Sequence, residues 1–344
     1  MNLHTFRPRV LVIALALVAA ACGQVASTTP AQYRGANPKK YVAPPPPSPT
    51  PAAPALPVPA GGPLPGQNLP ISSELPYPLL IQIENTPPSR PQAGIAAASM
   101  IFQYMTEGDI TRFSAVFHRV PGVVGPVRSA RFVSVYLYHH FDALMMASGA
   151  GSATYAKVFA DPGTGALFND FDNVRAYFFR WSGREAPHNV YTSQASMLTA
   201  AHHGFRAPNQ SDVLRSNTWA GTESAPHVTV PFLRASFDFA GGTYSVITDG
   251  IVQNDVIYGD IRPHSVVVLH VAQTTTCAIH DVNGVCGRDF DLQSGGAAEM
   301  YANGSVIRGH WGAPGGASQP LAFTDAAGKP VGLPPGLSWM LLAE

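Results

Sequence analysis

Hydrophobic and polar positions change rhythm several times along the chain, and each change predicts an element. Leu79-Leu80-Ile81-Gln82-Ile83 is a short apolar run that ends in Glu84-Asn85 and a Pro-Pro-Ser-Arg-Pro turn, the pattern of a buried strand. Met100 to Met105 and Ile110 to Phe117 flank Glu107-Gly108-Asp109, whose turn chemistry makes the pair a hairpin. Gly125-Pro126 then leads into Val127-Arg128-Ser129-Ala130-Arg131, and Phe132 to Phe141 spaces its apolar residues as a helix does. Ala143 to Ala147 reads as a strand that stops at Ser148-Gly149-Ala150-Gly151-Ser152. Strands and helices alternate loosely, so residues 75–212 are expected to form an α/β or α+β N-terminal domain.

From 224 to 344 the texture differs. Valine-rich runs at Val228 to Phe232, Tyr244 to Thr248, Val266 to Val271 and Ser305 to Ile307 are cut by Gly-Gly, Asp-Gly and Asn-Gly steps, which predicts a mostly β C-terminal domain. The charge balance turns over near the same place. Residues 79–206 carry 10 basic and 8 acidic groups, and residues 207–344 carry 6 and 12.

Ahead of residue 75 the pattern is not that of a core. Residues 1–21 combine Arg7 and Arg9, an apolar run from Val10 to Val18 and Ala19-Ala20-Ala21, the three parts of a secretory signal. Cys22 and Gly23 follow directly, so residues 1–21 read as a lipoprotein signal peptide and Cys22 as the site of lipidation. The apolar run is too short for a membrane-spanning helix, and acyl chains would anchor the protein to the bacterial cell membrane on its extracytoplasmic side. Residues 22–74 read as a disordered tether. Pro38 to Pro70 holds 13 prolines in 33 residues and no charge after Lys40, a composition that favours extended polyproline II.

Composition narrows the function. Lys plus Arg equals Asp plus Glu at 21 each, leaving no positive surplus to neutralise a phosphate backbone, so no nucleic acid is expected as partner. Of three cysteines, Cys22 is taken by the anchor, and Cys277 and Cys286 are expected to close a disulfide across a hairpin turned at Asn283-Gly284. Their spacing excludes a CxxC zinc or redox motif. Adjacent histidines His139-His140 and His202-His203 point away from each other on a helix, and neither a metal nor a cofactor is expected.

Nine of the ten basic residues in 79–206 are arginine and only Lys157 is lysine. Arginine is preferred where a planar fork grips carboxylate or phosphate at two points. A genome rich in arginine codons yields the same count, so position carries the information. Arg128 and Arg131 stand three apart at the start of the predicted helix, where both guanidinium groups approach free backbone N–H groups. His188, in the loop Pro187-His188-Asn189 near Trp181 and Tyr191, is an acid/base candidate, as is Glu107. No G-x-S-x-G elbow, S-x-x-K spacing or G-x-G-x-x-G loop is present.

The succession Ile83-Glu84-Asn85, Ser89-Arg90-Pro91-Gln92-Ala93-Gly94, Glu107-Gly108-Asp109-Ile110-Thr111-Arg112-Phe113, Gly125 to Arg131 and Ala186-Pro187-His188-Asn189-Val190-Tyr191 resembles the YerB-like lipoprotein family. That resemblance implies an N-terminal domain with a distinct C-terminal partner domain and a place in the cell envelope, and it implies no reaction. Ser99 and Gln103 stand where the family places acids.

These observations lead to a membrane-anchored envelope protein that binds an anionic ligand through Arg90, Arg112, Arg128, Arg131 and Asn189, with Glu107 and His188 as orienting groups. The carboxylate of a cell-wall glycan, a peptide C-terminus and a polyprenyl phosphate all fit that chemistry. The alternatives are an envelope enzyme acting on phosphate or glycosidic linkages, with His188 or Glu107 as acid or base, and a scaffold that binds other envelope proteins.

Overall fold

The apolar runs assemble into one mixed sheet of 11 strands. The computed structural model of the chain describes residues 62–160, 165–169, 175–202, 212–281, 283–314 and 319–344. In it β1 (Leu79–Glu84) pairs antiparallel with β3 (Thr111–Phe117), and β3 with β2 (Met100–Met105). Beyond β1 lie Leu144–Ala147 and Ala166–Phe168, both parallel to their neighbours. Beyond β2 lies the C-terminal strand Ser338–Ala343, parallel to β2 on one side and to Ser265–His270 on the other. Gly296–Ala302, Ser305–Gly312 and Ala322–Asp325 continue the sheet antiparallel. The N-terminal region is thus sheet with helices and the C-terminal region is mostly strands, and both contribute to a single sheet.

Every residue of β1, β2 and β3 is buried, which requires cover on both faces. Alternation along the strands sorts the side chains into two cores. Ile81, Ile101, Phe113, Trp339 and Leu341 face α3 (Gln194–His202) and a four-stranded sheet built from His227–Val230, Ala235–Ala240, Thr243–Thr248 and Ile251–Val252. Leu80, Phe102, Val116, Met340 and Leu342 face α1 (Phe132–His140) and Phe290 of the hairpin Gln273–His280/Cys286–Phe290.

The first strand, the hairpin β2–β3 and α1 lie where the apolar pattern predicts them. Helices α2 (Ser152–Phe159) and α3 were not expected. The first buries only Thr154 and Val158, and so shows no apolar stripe to read.

The expected tether is folded at its C-terminal end. Leu64 is only 2% exposed, and Ser72 exchanges hydrogen bonds with the backbone of Val120. Gly66 and Gly122 approach so closely that a Cβ on Gly122 would lie 1.8 Å from the Gly66 carbonyl oxygen. Leucines at 64 and 75 supply apolar anchors that the proline count concealed. Cys22, the signal segment and the tether up to residue 61 lie outside the described residues. Among the described residues no helix is long and apolar enough to cross a membrane.

Candidate functional site

Tyr104, Arg112 and Glu84 form a cross-strand row over β2, β3 and β1, at the end of the sheet. Beneath that row Gln82 Oε1 accepts hydrogen bonds from the hydroxyls of Tyr104, Ser114 and Ser134 at 3.1, 2.8 and 2.9 Å. This network fixes the floor on which the charged groups stand.

Above it lies a cavity of about 390 Å³. Glu84, Glu107, Arg112, Arg128 and Arg131 form its inner wall, the first turn of α2 forms a second, and the hairpin tip (Ile279, His280, Asp281, Asn283) closes the third. The N–H groups of a helical first turn have no acceptor within the helix and carry partial positive charge, so α2 directs donors at the same space as the arginines.

The three arginines are held differently. Arg131 donates from Nε to Glu107 Oε2 at 2.6 Å and from Nη1 to the Ala130 carbonyl at 3.1 Å. Arg112, 5% exposed, donates from Nη1 to the Ser129 carbonyl at 3.1 Å, and its Nε has no partner. Burial, with Arg131 close by, pushes its pKa down to about 9. Arg112 is therefore a buried charge whose own hydrogen bonds are incomplete. Arg128 places Nε 3.2 Å from Glu84 Oε1, and no acceptor among the described residues takes either of its terminal nitrogens.

Glu84 organises the approach. Its Oε1 also accepts from Thr86 Oγ1 at 2.9 Å and lies 3.0 Å from His188 Nδ1, whereas Oε2 is buried without a partner. His188 accordingly stands behind Glu84 and off the cavity wall. Arg90 and Asn189 are also off the wall. Arg90 binds Asn85 and, at 2.8 Å, Asp249, which ties the turn after β1 to the four-stranded sheet. Asn189 Oδ1 accepts from Arg180 at 2.6 Å. Of the residues singled out in the sequence, Arg112, Arg128, Arg131 and Glu107 share the cavity, and His188 reaches it only through Glu84. The helix start that lines the cavity is that of α2 and not, as expected, that of the helix after Arg131, whose first turn lies off the wall with Arg131 N–H donating to Ser134 Oγ.

The cysteines and Asn283-Gly284 signalled the hairpin, but nothing in the sequence placed its tip at the cavity. Cys277 and Cys286 form the expected disulfide across it. Its contact with the site is close, since a Cβ on Gly151 would lie 2.7 Å from the His280 carbonyl and one on Gly287 3.1 Å from Glu107 Oε1. A crosslink over so short a loop contributes roughly 2–3 kcal/mol in the chain-entropy model. The Cys277→Ser/Cys286→Ser variant is therefore expected to exchange its amide hydrogens at 279–285 more than tenfold faster, with the central sheet unchanged. Unaltered exchange at the tip would mean that packing alone holds it.

Two family models match the chain: "Protein of unknown function (DUF3048) N-terminal domain" over residues 66–206 and "Protein of unknown function (DUF3048) C-terminal domain" over 228–340. The chain is similar to "Putative lipoprotein YerB" of Bacillus subtilis (strain 168), at 28% identity over 276 residues, 76% of this chain and 80% of that protein. It is also similar to the crystal structure of the YerB protein from Bacillus subtilis, with a TM-score of 0.64 and 25% identity, covering 78% of this chain and 91% of that one.

Proposed function

This chain belongs to the DUF3048 family of proteins of unknown function, and on that premise we propose that it is a lipid-anchored, extracytoplasmic protein of the cell envelope that binds a carboxylate or phosphate ligand in the arginine cavity. One observation carries the ligand reading: the Arg128 guanidinium faces a cavity with its terminal N–H groups unused, beside buried Arg112 and the first turn of α2. Charge-assisted donors grouped in this way are complementary to an anion. The anchor is supported by the sequence Ala19-Ala20-Ala21-Cys22-Gly23 and by the name of the Bacillus subtilis relative.

Binding is tested with the full chain in detergent, titrated with inorganic phosphate, a polyprenyl phosphate and peptidoglycan fragments. Hydrogen bonds to charged groups contribute about 1.5–3 kcal/mol each, so the Arg128→Ala/Arg131→Ala variant is expected to bind at least 100-fold more weakly with an unchanged circular dichroism spectrum. Equal retention by wild type and variant would end the assignment. In cells fractionated before detergent is added, Cys22→Ser is expected to leave the membrane fraction, and persistence there would remove the lipid anchor from the reading.

A further inference from the structure

We propose that the ligand of this cavity carries hydroxyl groups beside its anionic group, as a sugar phosphate or a sugar carboxylate does. The inference rests on the anion reading above and narrows it to a class of molecule.

The wall is not simply positive. Three guanidinium groups, Arg112, Arg128 and Arg131, stand with three carboxylates, Glu84, Glu107 and Asp281. A bare anion gains from the first set and is repelled by the second. A ligand that also brings hydrogen-bond donors makes partners of the carboxylates.

Two buried groups indicate where such a donor goes. Glu84 and Arg112 are direct cross-strand neighbours at the end of β1 and β3, the placement in which opposite charges normally close on each other. Here they do not. Glu84 turns Oε1 to Thr86, Arg128 and His188 and leaves Oε2 without a donor, and Arg112 turns to the Ser129 carbonyl and leaves Nε without an acceptor. Both side chains are more than nine-tenths buried and both line the cavity. Unsatisfied polar atoms of opposite kind on cross-strand neighbours call for a ligand that brings both a donor and an acceptor. A hydroxyl is both. An ammonium satisfies Glu84 only and is repelled by three guanidinium groups.

The rest of the wall suits the same class. Thr106 and Ser129 offer neutral hydroxyls, while Ile110 and Ile279 offer apolar surface for the C–H face of a ring. A volume of about 390 Å³ is at the small end of ligand sites and fits one ring with one charged substituent.

Two matched pairs of probes test this by calorimetry on the full chain in detergent: glucose 1-phosphate against cyclohexyl phosphate, and glucuronate against cyclohexanecarboxylate. Within each pair the six-membered ring and the anion are kept, and the sugar member adds hydroxyls and the ring oxygen. The hydroxylated member is expected to bind at least tenfold more tightly in one pair, and which pair responds separates a phosphate from a carboxylate ligand. Glu84→Gln is expected to shrink that preference. Because Glu84 also holds Arg128 and His188, the wild-type comparison stands without the variant. Equal or tighter binding of the cyclohexyl members, or silence from all four probes while inorganic phosphate binds, overturns the hydroxyl inference and leaves the anion reading standing. Silence from all four and from inorganic phosphate overturns both.

Discussion

Replacing Trp339 by alanine is expected to destabilise the protein by about 3–5 kcal/mol, the range for truncating a large buried aromatic, and to unfold both sequence regions in one transition. Trp339 is fully buried in the strand that joins β2 to Ser265–His270. Its ring meets Phe113 edge-on at 5.2 Å and Phe237 at 5.9 Å, one from each region. Its indole N–H donates to Gln103 Oε1 at 2.9 Å. Alanine leaves a cavity on the shared face of the sheet and a buried amide oxygen without its donor, two losses that add. Denaturant unfolding followed by near- and far-ultraviolet circular dichroism checks this. Coincident curves are expected for wild type and variant, and two separate transitions would show that the regions fold independently. Trp339→Phe keeps a ring in place and is expected to lose less than half as much.

Arg112→Met is expected to do the opposite to stability and far more to binding. Methionine keeps the unbranched stem and removes the charge. The folded-state pKa of Arg112 is pushed down to about 9, well below the ordinary arginine value, by burial first and Arg131 second. A base held below its unfolded pKa binds its proton more weakly when folded, so its charge opposes folding below about pH 9. That opposition is withdrawn as pH rises above about 9 toward the ordinary arginine value. At pH 7 the variant is thus expected to melt at the same temperature as wild type or higher, and at pH 10 wild type should close the gap. Affinity for phosphate or carboxylate probes is expected to fall at least 100-fold, since Arg112 supplies buried positive charge to the cavity wall. Thermal melts at the two pH values and calorimetric titration make the measurement. A variant that loses several kcal/mol at pH 7 would show Arg112 to be a structural residue held by Ser129.

The parts of this protein that local pattern announces are those whose physics is local. β1, the β2–β3 hairpin and α1 are specified by apolar runs and turn residues, and the disulfide hairpin by two cysteines around Asn283-Gly284. The Arg128–Arg131 pair was legible because both sit on one loop. Arg90 illustrates the limit. By residue type it belongs with the other arginines, but Asn85 and the distant Asp249 take its guanidinium, a choice made only once the four-stranded sheet packs beside the turn after β1. The hairpin tip is a similar case, because nothing near Asp281 states that it will face residues 84–131 across the cavity. Helix α3 hid for another reason. It buries Met197, Ala200 and Ala201, and alanines register weakly as an apolar face.

The position of Ser338–Ala343 in the middle of the sheet also sets the order in which the molecule can be made. Gln103 and Trp339 are bonded across 236 positions of sequence, and pairing over such separations is slow because loop closure precedes any gain from contact. A chain emerging from its N-terminus holds β2 and Ser265–His270 as two open edges until the last strand arrives between them. Until then each edge is a template for pairing with another chain. A stop codon that removes only the final seven residues would therefore release two incomplete half-sheets prone to aggregate, a far heavier loss than the trimming of a surface tail.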